Sequence, residues 1–249
     1  MKSELNELLQ FAVELGRGAG DITLEYFRKN PETETKSDGS YVTIADRHAE
    51  SFLREEIAKR FPDDGVVGEE ELESRGLSGR RWIVDPIDGT FAFVHGVPFY
   101  GVLIALEIEG ESSVGVVNIP ALGELVSAAK GLGCFLNGEP ARVSDTAELK
   151  DALLLSTDFA ASTERLRARA KTSRTWGDCY GYVLVATGRA DVMLDPVMNL
   201  WDCAPLLPIM EEAGGTFTDW RGARTIDGGN SIATNGVLFD EVMSLIRGE

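Results

Sequence analysis

Two aspartates, Asp85 and Asp88, stand three residues apart in the segment WIVDPIDGT at residues 82–90. The pattern predicts a buried strand that enters a proline-restricted turn and then a short helix. Both carboxylates can therefore point into one small volume, and hard oxygen ligands in that arrangement suit Mg²⁺. The carbonyl of Ile87 is a further possible ligand.

The start of the short helix that follows could bind a phosphate group. Free amides at Gly89 and Thr90, together with the positive end of the helix dipole, would form an anion site next to the metal. The same residues are also typical of an ordinary Asp-Gly turn in which Asp85 is a helix cap. The motif alone therefore leaves a structural and a catalytic interpretation open.

Two other acidic positions stand in matching contexts. Glu69 follows the short apolar strand GVVG, and Asp202 opens an otherwise apolar helix in WDCAPLLPIM. An unpaired charge inside an apolar run is costly, so these acids need a cation, and a divalent metal is the obvious candidate. Asp202 could instead be a simple helix cap, and the neighbouring Glu70 could be a solvated surface charge.

The composition disfavours nucleic acid as a partner. The 249 residues are 43% hydrophobic and 26% charged, with a net charge of −17 that would repel phosphate backbones. The length allows one compact unit or two packed halves. Three scattered cysteines without a CxxC pair predict neither a disulfide framework nor a zinc site. No signal peptide or membrane-spanning run is evident, so we expect a cytoplasmic protein without membrane association.

Periodicity places these motifs on helices and strands. The predicted helices cover residues 3–28, 43–60, 162–171, 178–187, 201–213 and 238–247. The predicted strands cover 65–68, 81–84, 101–108, 113–119, 123–129, 132–136, 151–156 and 191–194, with a short strand leading into Trp176 and a last one from 215. Residues 29–40 are predicted to be a loop with the composition of a mobile flap. Alternating elements in the second half imply an α/β sheet covered on both faces. We place an N-terminal α+β metal-binding domain at 1–145 and a C-terminal α/β domain at 146–249.

The motifs GEE, WIVDPIDGT and WDCAPLLPIMEEAGG, taken in this order, resemble the inositol monophosphatase family, and the resemblance covers nearly the whole chain. It implies an α/β (α+β) fold, a layered αβαβα sandwich. It also implies a Mg²⁺-dependent phosphomonoesterase that acts through metal-activated water, with two or three ions per active site and inhibition by Li⁺. A small phosphate ester would be the substrate, and the protein would be a homodimer.

The resemblance also implies a role for individual residues. The catalytic set would be Asp46, Thr90 and Glu69; the metal ligands would be Glu69, Asp85, the Ile87 carbonyl, Asp88 and Asp202; and the phosphate-binding set would be Asp88, Gly89 and Thr90. Thr90, hydrogen-bonded to Asp46, would position the water and help deprotonate it. Lys36 in the flap would lie near the metal cluster, and with Asp178 and Asp195 it completes the predicted substrate-binding set.

Within the family, the pattern WGDCYGY at residues 176–182 resembles the histidinol-phosphate phosphatase branch. Histidinol phosphate carries an ammonium group and an imidazole, for which Asp178 and Asp195 offer acceptors and negative charge. Inositol has only neutral hydroxyls and would not require Asp178. We therefore expect hydrolysis of L-histidinol phosphate to L-histidinol and phosphate, a step of histidine biosynthesis.

Other interpretations of the substrate region stay open. Asp178 could cap the helix 178–187, and Asp195 could be a turn residue before Pro196. An inositol-1-monophosphatase, a 3′,5′-bisphosphate nucleotidase and a non-catalytic scaffold are the alternative functions. The nucleotidase would need positive charge for its second phosphate, and the acidic region 178–195 argues against it.

Two further residues next to the motif bear on the substrate. Phe91 stands where many relatives of the histidinol-phosphate type carry a basic residue. This departure leaves the exact substrate open without affecting the metal ligands. His95 lies little more than one helical turn beyond Thr90, and we interpret it as a structural residue on the short helix.

Overall fold

Two large sheets and a small hairpin organise the chain in the computed structural model, which describes residues 2–157 and 163–248. The helices are α1 (Lys2–Tyr26), α2 (Ile44–Arg60), α3 (Thr90–Val94), α4 (Glu164–Arg169), α5 (Asp178–Ala186), α6 (Leu200–Glu212) and α7 (Phe239–Arg247). The strands are β1 (Thr33–Thr35), β2 (Tyr41–Thr43), β3 (Gly65–Gly68), β4 (Arg80–Asp88), β5 (Gly101–Ile108), β6 (Glu111–Ile119), β7 (Glu124–Ala129), β8 (Gly133–Leu136), β9 (Glu139–Ala141), β10 (Leu153–Ser156), β11 (Thr172–Arg174), β12 (Val192–Asp195), β13 (Thr216–Thr218) and β14 (Ser231–Thr234).

The first sheet runs in the order β3-β4-β5-β6-β7-β8-β9 and is antiparallel except for the parallel pair β3–β4. Alternate side chains of a strand point to opposite faces of its sheet. In β4, Trp82 and Val84 pack against α1 and α2, whereas Ile83 packs with Ala204 of α6. Asp85, two residues after Ile83, therefore belongs to the face that meets α6.

The second sheet runs in the order β11-β10-β12-β14-β13. Its strands β11, β10 and β12 are parallel, and β14 and β13 are antiparallel to their neighbours. Leu155 and Met193 pack with α5 and α6, whereas Leu154 and Val192 pack with α4 and α7. Helices α5 and α6 thus lie between the two sheets, and the layers confirm the predicted αβαβα sandwich.

Thr43 caps the N-terminus of α2. The Thr43 hydroxyl oxygen accepts a hydrogen bond from the Ala45 amide at 3.1 Å, and the Asp46 carboxylate accepts one from the Thr43 amide at 2.8 Å. This reciprocal pair fixes the start of the helix. It also holds the Asp46 side chain at the N-terminus of α2. Asp46 can therefore take part both in the capping box and in the candidate active site.

The predicted flap loop at residues 29–40 is partly wrong, because it contains β1, which pairs with β2 just beyond it as an antiparallel hairpin. Each strand has three residues, and β1 is exposed throughout, so no apolar alternation marks it in the sequence. At the tip, the Lys36 amide donates to the Ser40 carbonyl at 2.8 Å. The hairpin therefore holds Lys36 at a defined turn.

Three further elements differ from the sequence prediction. Strand β4 continues to Asp88 instead of ending before Asp85, with a register irregularity between these two residues around Pro86, which lacks an N–H donor. The short strands β9 and β14 were not predicted, although β14 is buried between β12 and β13. The helix predicted at 162–171 is α4, and residue 162 lies outside the described residues.

The proposed division at residue 145 stays a prediction. Strands β3 to β9 belong to the first sheet and strands from Leu153 to the second, while α6 packs on both. Across residues 2–157 and 163–248, no helix combines the length and apolar character needed to cross a membrane.

Candidate active site

Three aspartates meet where β4 and α6 face each other. Asp85 and Asp88 lie on either side of the β4 irregularity, and Asp202 lies in the first turn of α6. One carboxylate oxygen from each of the three lies within 4.8 Å of the other two. Asp85, only 1% exposed, is the most buried member. We refer to Asp85, Asp88 and Asp202 as the aspartate cluster.

Each member of the aspartate cluster is held by one backbone amide. The amide donors and their distances are Ile87 to Asp85 Oδ1 at 2.9 Å, Cys179 to Asp88 Oδ2 at 2.6 Å, and Asn199 to Asp202 Oδ2 at 2.7 Å. Among the residues that the structure describes, no Lys or Arg forms an ion pair with any of the three. The cluster is therefore oriented by the backbone, and its charge is not neutralised by the chain.

Burial and mutual repulsion raise the pKa of the cluster. For Asp85 and Asp88, burial is the main cause, followed by neighbouring carboxylates, and both pKa values lie well above the usual range. Burial likewise raises the pKa of Asp202 to about 7. A cation among the three would relieve both penalties, and a set of carboxylate oxygens is the donor set that Mg²⁺ or Ca²⁺ prefers. The residues present thus fit a hard divalent cation.

Glu69 is not among the three residues of this close group, although it was predicted as a ligand. Its Oε1 accepts a hydrogen bond from Lys36 Nζ at 2.7 Å, and Lys36 also reaches Glu70 Oε1 at 2.7 Å. Burial acts to lower the pKa of Lys36, but its bonds to these two glutamates raise it overall. Glu69 still adds to the negative field that raises the pKa of Asp85. Lys36 therefore lies beside the site, as expected, but paired with Glu69.

Thr90 and Asp46 are neighbours, with the Thr90 hydroxyl 3.5 Å from Asp46 Oδ1. The shorter bond of that hydroxyl, 2.9 Å, goes to the Ile87 carbonyl. Burial raises the pKa of Asp46 to about 6. A carbonyl oxygen has two lone pairs, so Ile87 can accept from Thr90 and still bind a cation. The predicted Thr90–Asp46 pair is brought together, at the outer limit of hydrogen-bond distance.

Gly89 begins α3 in a left-handed conformation with φ 79°. A Cβ atom there would lie 3.1 Å from Asp178 Oδ2 and 3.4 Å from the Phe99 carbonyl. Glycine is thus required both for the backbone angle and for the close approach of Asp178. Within the described residues, the amides of Gly89 and Thr90 have no hydrogen-bond partner, which leaves them available to an anion.

The capping alternative for Asp178 is wrong. The N-cap residue of α5 is Gly177, so Asp178 does not occupy the capping position. Asp178 itself has a left-handed φ of 51°. Its carboxylate lies against Gly89, and its charge helps to raise the pKa of Asp88. Burial raises the pKa of Asp178 as well. A non-glycine residue in this conformation is strained, a feature that occurs often at functional sites.

Asp195 ends β12 and is 5% exposed. Its carboxylate accepts hydrogen bonds from the Thr157 hydroxyl at 2.6 Å and from the Val197 amide at 3.3 Å. The second bond is a turn-forming contact across Pro196, so the turn alternative describes part of its role. Asp195 also lines the cavity of the site.

A cavity of about 520 Å³ lies above the aspartate cluster. Its lining, as far as the structure describes the chain, contains no Lys, Arg or His and six acids: Glu69, Asp85, Asp88, Asp178, Asp195 and Asp202. Of the residues predicted as a site, Asp46 and Lys36 lie behind this lining, each in contact with one of its members. An anionic ligand can enter such a cavity only together with cations.

Glu50 is a residue of this region that the sequence analysis missed. It is fully buried in α2, and its carboxylate accepts from the Arg54 guanidinium at 2.8 Å and from the amides of Glu70 at 2.8 Å and Glu71 at 3.1 Å. It thereby fixes the turn that carries Glu69. The available signal was a charge at a core-facing position of α2, four residues before an arginine.

Comparison with known proteins agrees with this arrangement. A model of the inositol monophosphatase family matches residues 4–248. The chain is 47% identical to a histidinol-phosphatase of Chlorobaculum parvum over 96% of both chains, and 40% identical to a histidinol-phosphatase of Mycobacterium tuberculosis over 96% of this chain and 97% of that one. The solved structure of a Thermotoga maritima IMPase superposes with a TM-score of 0.90 at 34% identity, covering 97% of each chain. The chain therefore belongs to the inositol monophosphatase family and is a phosphoric monoester hydrolase.

Proposed function

We propose that this enzyme uses Mg²⁺ to hydrolyse L-histidinol phosphate to L-histidinol and inorganic phosphate, as a step of histidine biosynthesis. The observation that carries the proposal is the second pair of carboxylates in the cavity. Asp178 and Asp195 are additional to the aspartate cluster that a metal would neutralise. A leaving group with an ammonium and an imidazole would be attracted by the negative charge of these two carboxylates. Similarity to two histidinol-phosphatases supports the same substrate.

The metal in this proposal is held by the aspartate cluster, with Glu69 and the Ile87 carbonyl as further ligands. The chemistry supplied by bound Mg²⁺ would be charge neutralisation at the phosphoryl oxygens and a lower pKa for the attacking water. The free amides of Gly89 and Thr90 would bind the phosphate beside it.

Thr90 and Asp46 would take up the proton of the attacking water. Asp46 Oδ2 is occupied by Thr43, whereas Oδ1 faces the Thr90 hydroxyl at 3.5 Å. The hydroxyl has a single proton, so it would turn from the Ile87 carbonyl to donate to Oδ1, and its oxygen would then accept a hydrogen bond from water. Burial raises the pKa of Asp46 and so makes its carboxylate a better proton acceptor than an exposed aspartate. The pair would therefore orient the water and receive its proton.

An inositol-1-monophosphatase is the second candidate, because the chain superposes closely on an IMPase. Inositol would use the aspartate cluster in the same way, but its neutral hydroxyls give no role to the charges of Asp178 and Asp195. A 3′,5′-bisphosphate nucleotidase is not proposed, since the described lining offers no basic side chain for a second phosphate.

Phosphate release from L-histidinol phosphate and from myo-inositol 1-phosphate, side by side with Mg²⁺, tests the proposal. We expect a strong preference for the histidinol ester. Asp178→Asn should raise KM for that ester more than for the inositol ester, because only the first carries positive charge. Asp240→Asn is a matched control, since Asp240 is an exposed residue of α7 in the outer layer. A preference for inositol phosphate, or equal effects of Asp178→Asn on both esters, would contradict the proposal.

A further inference from the structure

Phe91 is a large apolar side chain that the fold leaves exposed beside the site. It follows Thr90 in α3, lines the cavity, and is 66% exposed. The other aromatic residue of α3, Phe93, is buried in a core with Tyr100. Phe91 therefore presents an exposed aromatic surface to a ligand that occupies the cavity.

Two other rings lie nearly parallel to the Phe91 ring. The Tyr41 ring, from β2 of the hairpin, is 6.0 Å away between centroids with an interplanar angle of 11°. The His95 ring is 4.2 Å away at 28°, and its Nδ1 donates a hydrogen bond to the Phe91 carbonyl at 2.8 Å. His95 thus holds Phe91 through both ring and backbone. We call Tyr41, Phe91 and His95 the aromatic rim.

Two members of the aromatic rim, Tyr41 and Phe91, line the cavity in which the leaving group would lie. The candidate phosphate-binding amides belong to Gly89 and Thr90, and consecutive Cα atoms are about 3.8 Å apart. An ester bound there starts within one side-chain length of Phe91. The opposite requirement, negative charge for a cationic ligand, is met in the same cavity by Asp178 and Asp195. The cavity therefore joins an aromatic wall to an acidic one.

We propose that Phe91, positioned by His95 and facing Tyr41, binds the planar heteroaromatic ring of a cationic leaving group by stacking. The inference rests on the proposed function and deepens it, because it assigns the ring and the charge of the substrate to different walls. It also gives a physical reason for an aromatic residue at position 91, since a cationic ring is attracted to the face of an aromatic side chain.

The test compares two phosphate esters that differ only in the ring. L-Histidinol phosphate and L-alaninol phosphate share the amino-alcohol phosphate, and only the first carries imidazole. We expect Phe91→Leu to lower the ratio of their kcat/KM values about three- to tenfold, mostly through KM of the histidinol ester. Phe91→Tyr, which keeps the ring, should restore the ratio.

The outcomes separate this inference from the function on which it rests. If Phe91→Leu affects both esters by the same factor, the side chain only joins α3 to the hairpin, and the inference is overturned while the function stands. If the wild-type enzyme releases phosphate from myo-inositol 1-phosphate and not from L-histidinol phosphate, the proposed function and this inference both fail.

Discussion

The molecule contains two kinds of buried carboxylate site, and both involve β4. Asp64 lies near the beginning of the strand, and its carboxylate accepts hydrogen bonds from Ser78 Oγ at 2.7 Å, Arg80 Nε at 3.0 Å and Trp82 Nε1 at 3.0 Å. The aspartate cluster lies at the end of the strand, where each carboxylate has one backbone amide and, in the described chain, no cationic side chain.

The difference shows how a structural acid is distinguished from one that needs a ligand. At Asp64 the chain itself supplies the donors and a guanidinium, so the negative charge is compensated within the fold. In the aspartate cluster, burial and repulsion raise the pKa of Asp85 and Asp88 because no such partner is present. A divalent cation is the missing partner in our account.

Removing one ligand at the end of β4 should have the largest effect. Asp88→Asn keeps the size of the side chain and removes a charge that we assign to the metal site. We expect phosphate release to fall at least about 100-fold, with the far-ultraviolet circular dichroism unchanged. Activity within a few-fold of wild type at saturating Mg²⁺ would show that Asp88 does not serve the metal.

The same substitution at the start of β4 should act on stability instead. In Asp64→Asn the amide nitrogen must face one of the donors that now bind a carboxylate oxygen, leaving a donor unpaired. We expect the free energy of unfolding in urea to fall by roughly 2 kcal/mol. The folded variant should keep its turnover number, because Asp64 lies outside the cavity lining. A variant that is as stable as wild type but inactive would remove the distinction between the two sites.

Glu50 tests whether a structural acid can support the metal site from a distance. Glu50→Gln weakens the bonds to the amides of Glu70 and Glu71 and thereby loosens the turn that carries Glu69. We expect the Mg²⁺ concentration for half-maximal activity to rise about tenfold. Glu55→Gln, at an exposed position of the same helix, is the control. An unchanged Mg²⁺ dependence would mean that Glu50 contributes only to folding.

The pH dependence of metal-free stability tests the direction of the pKa shifts in the site. Carboxylates whose folded pKa is raised stabilise the protein below their unfolded pKa, and this contribution is lost as the pH rises through the folded pKa. With pKa values of about 6 for Asp46 and about 7 for Asp202, the EDTA-treated protein should lose stability between about pH 4 and pH 7.

Thermal unfolding across that pH range is the measurement. The high net negative charge also destabilises the folded state as the pH rises, so Asp88→Asn is compared with Asp240→Asn, which removes an exposed charge. Asp88→Asn should flatten the loss more than Asp240→Asn does. An EDTA-treated wild-type protein that gains stability toward neutral pH would contradict the pKa directions of the site.

Much of the fold could be predicted from the sequence because its long elements carry strong periodicity. Helix α1 repeats apolar residues at helical spacing, and Thr43 at the start of α2 is a typical N-cap residue. Hairpin β1–β2 could not be predicted, since each strand has only three residues and β1 is exposed throughout. The extension of β4 to Asp88 could not be predicted either, because Pro86 is typical of a turn and is tolerated here only at a register irregularity.

For the site, the sequence predicted which acids approach one another but not how they are held. Asp85 and Asp202 meet because β4 alternates its side chains toward α6, and both motifs could be recognised. Three features depend on tertiary structure: the pairing of Lys36 with Glu69, the support by Glu50, and the left-handed conformation that turns Asp178 away from a helix cap. The pairing of Lys36 and the conformation of Asp178 leave no local pattern in the sequence, whereas Glu50 leaves only a charge at a core-facing position of α2.

The central claim is that the aspartate cluster binds a divalent cation, and thermal unfolding with millimolar Mg²⁺ against EDTA tests it most directly. A ligand that binds only the folded state must raise the unfolding midpoint. We predict a clear rise for the wild-type protein and little or none for Asp88→Asn, although both fold. No rise in the wild type, or an equal rise in the variant, would contradict the account.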